Sequence, residues 1–154
     1  MKNDNKLKNN FINLMISEDQ AIGIYEAELF FNISPKYIFQ KILLEEISHE
    51  KELIKIIDEM NWKLSSYQIL LSKLNRLFGW GIGVLLTIIP KRLCFIFHQA
   101  GEKKAAKDYV KLKIFIDQYN NFELFSSTKI KAILDKIIEN EKLHSDTFRS
   151  LLSK

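Results

Sequence analysis

The chain predicts an all-α fold: a four-helix bundle with an additional apolar helical connector between its two hairpins. Three observations predict it. Glycine and proline are scarce, five and two in 154 residues, which favours long helices over a β-sandwich. Apolar residues recur at spacings of three and four through four long stretches, the seam pattern of packed helices. Glu-x-x-His occurs twice, at Glu46–His49 and Glu141–His144. Residues three apart share a helix face, so each copy aims a carboxylate and an imidazole at one place. With 47% apolar and 27% charged residues, the length suits one domain, 1–154, with a substantial core.

The first hairpin is expected over 11–60. Its first helix runs from about Phe11 to Phe31, with an inward stripe of Phe11, Leu14, Glu18, Ala21, Tyr25 and Leu29. Ser34-Pro35 offers an N-cap and a first-turn proline for the second helix. That helix extends to about Met60 on a seam of Phe39, Ile42, Glu46, His49, Leu53, Ile56 and Met60. The connector, 64–90, opens with an amphipathic stretch, Tyr67–Leu77. Gly79-Trp80-Gly81-Ile82-Gly83 then leads into the apolar run Val84–Ile89. The run falls short of the ~20 residues that a spanning helix needs. It reads either as a buried link between the hairpins or, the reading favoured here, as a patch dipping into one leaflet. In the latter, Trp80 and the flanking basic residues sit at the headgroups. A phosphate loop at the three glycines is discarded, because the strand–turn–helix context it needs is missing.

The second hairpin is expected over 91–154. Its first helix starts after Pro90 and ends near Asn120, on a seam of Phe95, His98, Glu102, Ala105, Tyr109, Leu112, Ile116 and Tyr119. A polar turn at Asn120-Asn121 and Ser126-Ser127 precedes the last helix, Thr128 to about Leu152. Its seam is Ile130, Leu134, Ile137, Glu141, His144, Phe148 and Leu151. The two hairpins echo each other. Glu18 is followed seven residues later by Tyr25, Glu102 by Tyr109, and each pair precedes its own Glu-x-x-His. Hairpins of one design would pack about a pseudo-twofold axis.

Charge and cysteine content exclude little but bound the setting. A net charge of +4, spread as single lysines, suits an anionic membrane surface as well as RNA. No basic stripe with interleaved aromatics points to nucleic acid. Cys94 is the only cysteine, so no intrachain disulfide forms and a reducing compartment is the simplest setting. The polar stretch Met1–Asn10 has neither an apolar signal core nor arginine, and no secretory or mitochondrial signal is read there.

The seams carry the chemistry. They place Glu18, Glu46, Glu102, Glu141, His49 and His144 toward the core. An unpartnered buried carboxylate costs at least several kcal/mol, against a total stability of about 5–15 kcal/mol. No lysine shares these seams, so a metal is the natural counter-charge. Two Glu-x-x-His motifs plus one glutamate from each of two other helices make a dinuclear site in helix bundles. Carboxylate with imidazole suits iron or manganese, and the absence of cysteine ligands argues against structural zinc. His98, one turn before Glu102, is read as a neighbour of the ligands or a membrane-side residue rather than a ligand. Tyr25 and Tyr109 serve either core packing with one hydrogen bond or the gating of electrons or oxygen. Glu28, Glu45, Glu50 and Glu52 are expected in solvent.

With these residues in place, the chain resembles the ferritin-like di-iron carboxylate proteins, and among them the demethoxyubiquinone hydroxylases of ubiquinone biosynthesis. The resemblance rests on Ser17–Tyr25, Glu46–Lys51, Glu102 with Tyr109, and Glu141–Thr147, and covers roughly Met15 to Phe148 with sparse identities elsewhere. It implies a ferritin-like bundle in which Glu18, Glu46, His49, Glu102, Glu141 and His144 hold two iron ions. The implied reaction is O2-dependent hydroxylation of a membrane-embedded polyprenyl quinol, with NADH as the ultimate electron source. It further implies a peripheral protein on the cytoplasmic face of a bacterial inner membrane, as a homo-oligomer or assembled with other quinone-biosynthesis proteins, and no nucleic-acid partner. One departure stands out: the position before Tyr109, commonly a histidine linked to the reduced cofactor in that family, is Asp108 here. Rival readings share the ligand set. A bacterioferritin-like ferroxidase gives no reason for the apolar connector, and a rubrerythrin-like protein usually adds a cysteine-rich iron domain. A di-iron tRNA hydroxylase and a metal-free membrane-surface protein are the others.

Overall fold

The computed structural model describes residues 2–118 and 124–153, with side chains for 5–118 and 128–153. The fold is all-α. Its helices are α1 (Lys2–Phe30), α2 (Lys36–Glu59), α3 (Ser66–Ile88), α4 (Lys91–Asp117) and α5 (Leu124–Leu152), and no strand occurs among the described residues. The chain divides into two compact units, Phe11–Cys94 and Met1–Asn10 with Phe95–Lys154.

Local chemistry explains the helix ends. Asn32 and Asn61 adopt left-handed backbone, φ 56° and 53°, a conformation asparagine tolerates better than most residues. Each closes its helix with a paired backbone motif that satisfies the last carbonyls. Ile33 N–H donates to Glu28 O (3.0 Å) and Asn32 N–H to Leu29 O (3.1 Å); Trp62 N–H donates to Ile57 O (3.0 Å) and Asn61 N–H to Asp58 O (2.9 Å). At the start of α2, Pro35 itself is the N-cap, behind a cis Ser34–Pro35 bond and with no side-chain cap. The expected Ser34 cap does not form. α3 has a full capping box instead, in which Ser65 Oγ accepts from Gln68 N–H and Gln68 Oε1 accepts from Ser65 N–H.

Several bounds move. α1 starts nine residues before the expected Phe11, and α5 starts at Leu124, so Ser126-Ser127 belongs to a helix rather than a turn. Tyr119 and the Asn120-Asn121 turn lie outside the described residues. The larger correction concerns the connector. Tyr67–Leu77 and Val84–Ile88 are parts of one unbroken 23-residue helix, α3, with Ile89 as its C-cap. By length and composition it is long and apolar enough to cross a bilayer, contrary to the shortness expected of its apolar run; only 17% of its apolar window is buried.

Glycines account for how α3 holds to α1. Gly79 packs on the backbone of Gln20, Gly83 on Ile24 and Ala27, and Gly23 of α1 on the backbone of Arg76 and Trp80. A Cβ at any of the three would collide with main-chain atoms. Each helical glycine costs about 1 kcal/mol relative to alanine, and the close contact of two backbones offsets it. Polar links run beside this seam. Ser72 Oγ donates to Asp19 Oδ2 (2.5 Å), and Arg76 makes a two-pronged pair with Glu26, Nη2–Oε1 2.5 Å and Nε–Oε2 3.2 Å. Away from α1, α3 presents Leu70, Leu74, Leu77, Phe78, Leu85 and Ile88, all exposed. Their spacing of three, four and seven makes one continuous apolar stripe.

Rings lock the rest of this unit: Phe11 on Trp62 (centroids 5.7 Å) and Tyr25 edge-on to Phe39 (5.9 Å). In the other unit His98 stacks on Phe148 (4.7 Å, 15° between planes), and Phe95 tilts against the same ring. The Lys6 ammonium sits 5.0 Å above Phe115. Ser145 Oγ donates to Gln99 O at 3.2 Å, tying α5 to α4.

Candidate metal centre

Each unit contains one cluster of two carboxylates and one imidazole. In Phe11–Cys94, α1 supplies Glu18 and α2 supplies Glu46 and His49, three residues apart and so on one face. His49 Nδ1 lies 3.7 Å from Glu46 Oε2 and 3.9 Å from Glu18 Oε2. In the other unit, α4 supplies Glu102 and α5 supplies Glu141 and His144, with His144 Nδ1 3.4 Å from Glu102 Oε2. Within each triad every residue offers a ligand atom within 4.8 Å of the others. All six residues are buried, none more than 7% exposed.

These distances fit a shared cation. Two donors bound to one ion at about 2.0–2.2 Å lie roughly 3–4 Å apart, and the nitrogen–oxygen separations fall there. Two hard oxygens and one imidazole nitrogen are the donor set of iron or manganese, with zinc also accepting it. The buried Glu/His clusters are therefore able to hold metal ions. The two tyrosines of the internal echo are buried as well, Tyr25 against Phe39 and Tyr109 with no measurable exposure.

Asp108 sits differently. It is half-buried on α4 between two lysines, 2.9 Å from Lys104 Nζ and 2.7 Å from Lys111 Nζ. Burial pushes its carboxyl up, but the hydrogen bonds and charges of Lys111 and Lys104 outweigh that and hold it below the ordinary aspartate range.

Other acidic residues depart from expectation. Glu28, expected in solvent, is fully buried and accepts from the Cys94 thiol at 3.3 Å. Burial, reinforced by the Glu28 charge and hydrogen bond, raises the Cys94 thiol far above its ordinary range, so it stays protonated. Glu45, Glu50 and Glu52 are half-buried rather than solvated. Burial and then the neighbouring Asp19 raise the Glu50 carboxyl, against smaller pulls from Arg76 and Lys51. Asp19, not singled out in the sequence, is buried through its bond to Ser72. A signal for it existed: Gly23, Gly79 and Gly83 mark a second contact face on α1, and Asp19 lies one turn from Gly23 on that face.

No protein-family model, curated protein or solved structure matches this chain.

Proposed function

We propose that the two triads are halves of one dinuclear iron centre in a ferritin-like four-helix bundle. The chain would then be an O2-dependent monooxygenase acting on the ring of a demethoxyubiquinol-type polyprenyl benzoquinol. The observation that carries this reading is the duplication: each unit encloses a buried glutamate and a buried Glu-x-x-His at metal-ligand separations.

Glu18, Glu46 and His49 would hold one side of the centre, and Glu102, Glu141 and His144 the other. A di-iron pair held there supplies the O2 activation that ring hydroxylation requires. The protein's own part is to keep the donors dry and fixed. Tyr25 and Tyr109, both buried and two turns along the chain from Glu18 and Glu102, would gate electrons or oxygen in this reading.

The exposed stripe of α3 supports the quinol over the other substrates. Soluble monomers rarely expose apolar patches of more than a few hundred Å2. A helix with one face held to the protein and the other apolar is suited to lying in the membrane interface. A polyprenyl substrate resides there, and the cytoplasmic face of a bacterial inner membrane is the setting we assign. NADH is the electron source in this reading, reached by a route other than an imidazole before Tyr109, because Asp108 is engaged by two lysines.

The test is metal content followed by reaction with O2 and a short-chain demethoxyubiquinol, after anaerobic loading with ferrous iron. Two irons per chain and a hydroxylated ring are expected. Two irons oxidised without ring product would replace this reading with a ferroxidase, and a chain that binds no metal would end both.

A further inference from the structure

A separate feature lies between α4 and α5. A groove of about 530 Å3 runs between them, within the ~300–1,000 Å3 range of small-ligand clefts. Small residues open it: Ala106 of α4 and Ser145 of α5 form a floor that Val110 extends. Its rim is cationic. Lys103, Lys107 and Lys111 follow one another at four-residue spacing on α4, and Lys142 and Arg149 stand seven apart on α5.

Charge pairing leaves this rim uncompensated. Among the described residues, Asp146 is the only acid lining the groove, and Arg149 is its partner at 3.2 Å. Lys111 is turned to Asp108. Among the described residues, Lys103, Lys107 and Lys142 have no acidic partner within ion-pair distance. Three ammonium groups around one cleft repel each other, and an anion between them relieves that repulsion. Among the described residues, no tyrosine, tryptophan or phenylalanine lines the groove, so stacked bases of a nucleic acid find no platform there. The floor is apolar at Ala106 and Val110, the Ser145 hydroxyl being bonded to Gln99 O, and the lysine stems add methylenes to it.

We propose that this groove binds a phosphate group carried on an apolar body, with Lys103, Lys107 and Lys142 on the phosphate and Ala106 and Val110 against the apolar part. Such a phosphate comes from either a membrane lipid or a free metabolite. The site is independent of the metal reading, because none of its residues belongs to the triads.

Titration calorimetry with dihexanoyl phosphatidate as a monomer tests it, using inorganic phosphate and uncharged dihexanoylglycerol as comparators. The phosphatidate is expected to bind at least tenfold tighter than either comparator and to weaken as salt rises. Lys107→Gln and Lys142→Gln, two exposed positions where folding is not at stake, should together weaken it at least tenfold. Ala106→Phe, which fills the floor, should abolish the preference over inorganic phosphate. Equal binding of inorganic phosphate or of the uncharged glyceride overturns the proposal, as does binding that survives both lysine changes. Vesicles with and without phosphatidate then identify the source. Flotation that needs phosphatidate and is lost in the lysine variants assigns a membrane lipid; monomer binding without such flotation assigns a soluble ligand. Flotation unaffected by the variants, with no monomer binding, is generic surface attraction and also overturns it.

Discussion

Glu46 and Glu141 face opposite demands with and without a metal. In the metal-free chain each is a buried carboxylate beside other carboxylates, an arrangement that raises the cost of ionisation. Replacing a whole buried pair by apolar residues of similar volume is often neutral or stabilising by about 1–4 kcal/mol, whereas removing one partner alone costs about 3–5 kcal/mol. Glu46→Leu together with His49→Leu, which removes both members of the 3.7 Å pair, is therefore expected to leave the melting temperature of the metal-free protein unchanged or raised and to lower metal occupancy after loading. Differential scanning calorimetry with and without ferrous iron separates the two effects. A fall in stability without metal would show the pair to be structural. Glu50 provides a pH signature at the same scale. Its folded pKa is raised by burial and Asp19, so above that pKa the charged form is penalised in the native state alone. Glu50→Gln should stabilise at neutral pH, and the gain should vanish as pH falls below the ordinary glutamate range. Melting temperatures of both proteins at pH 7 and pH 4 check this sign.

At the level of the helix, α3 depends on three positions that have no side chain. Gly79→Val places branched carbons against the Gln20 backbone, and overpacking of this kind costs about 1–3 kcal/mol. The expected result is a melting temperature several degrees lower, while Gly81→Val, with open space around it, should change little. Equal effects at both positions would mean that helix propensity, not contact, is at work. The α2 seam was legible because Phe39, Ile42, Glu46, His49, Leu53 and Ile56 alternate without a slip, and all are buried. The six candidate ligands were legible for the same reason: a carboxylate on an apolar stripe is conspicuous. Glu28 was not, because α1 is buried on more than one side. A single-stripe reading leaves the other buried sides of α1 in solvent, which is where it put Glu28, bonded instead to Cys94, and it passes over Asp19, bonded to Ser72 of α3. The continuity of α3 was hidden by its glycines, which usually break helices in isolation and are permitted here by the backbone they touch. The ends of α1 and α2 were readable in principle from Asn32 and Asn61, each followed by a large apolar residue.

For the molecule as a whole, the proposed function requires the exposed stripe of α3 to meet a membrane surface. Wild-type protein is expected to float with vesicles of mixed neutral and anionic lipid. Leu74→Glu with Leu77→Glu should leave it in the soluble fraction with its metal content unchanged. Flotation that survives both changes would remove α3 from the membrane argument and leave the metal site standing. Loss of metal together with flotation would instead show that α3 is needed for the fold.

The glycine seam also sets how freely this helix can change. Residues 79 and 83, like Gly23 of α1 opposite them, are constrained by main-chain atoms, which do not rearrange to accommodate a newcomer, whereas the exposed positions 70, 74, 77, 85 and 88 answer chiefly to what lies outside the protein. In a saturation library scored for folding in plain buffer, the first set should tolerate almost nothing. The second should accept even charge, and solubility should improve. Scored in cells for function, the second set should narrow to leucine, isoleucine, methionine and phenylalanine, exchanging freely among themselves. One helix would thus carry two substitution codes, one written by its neighbour's backbone and the other by its solvent.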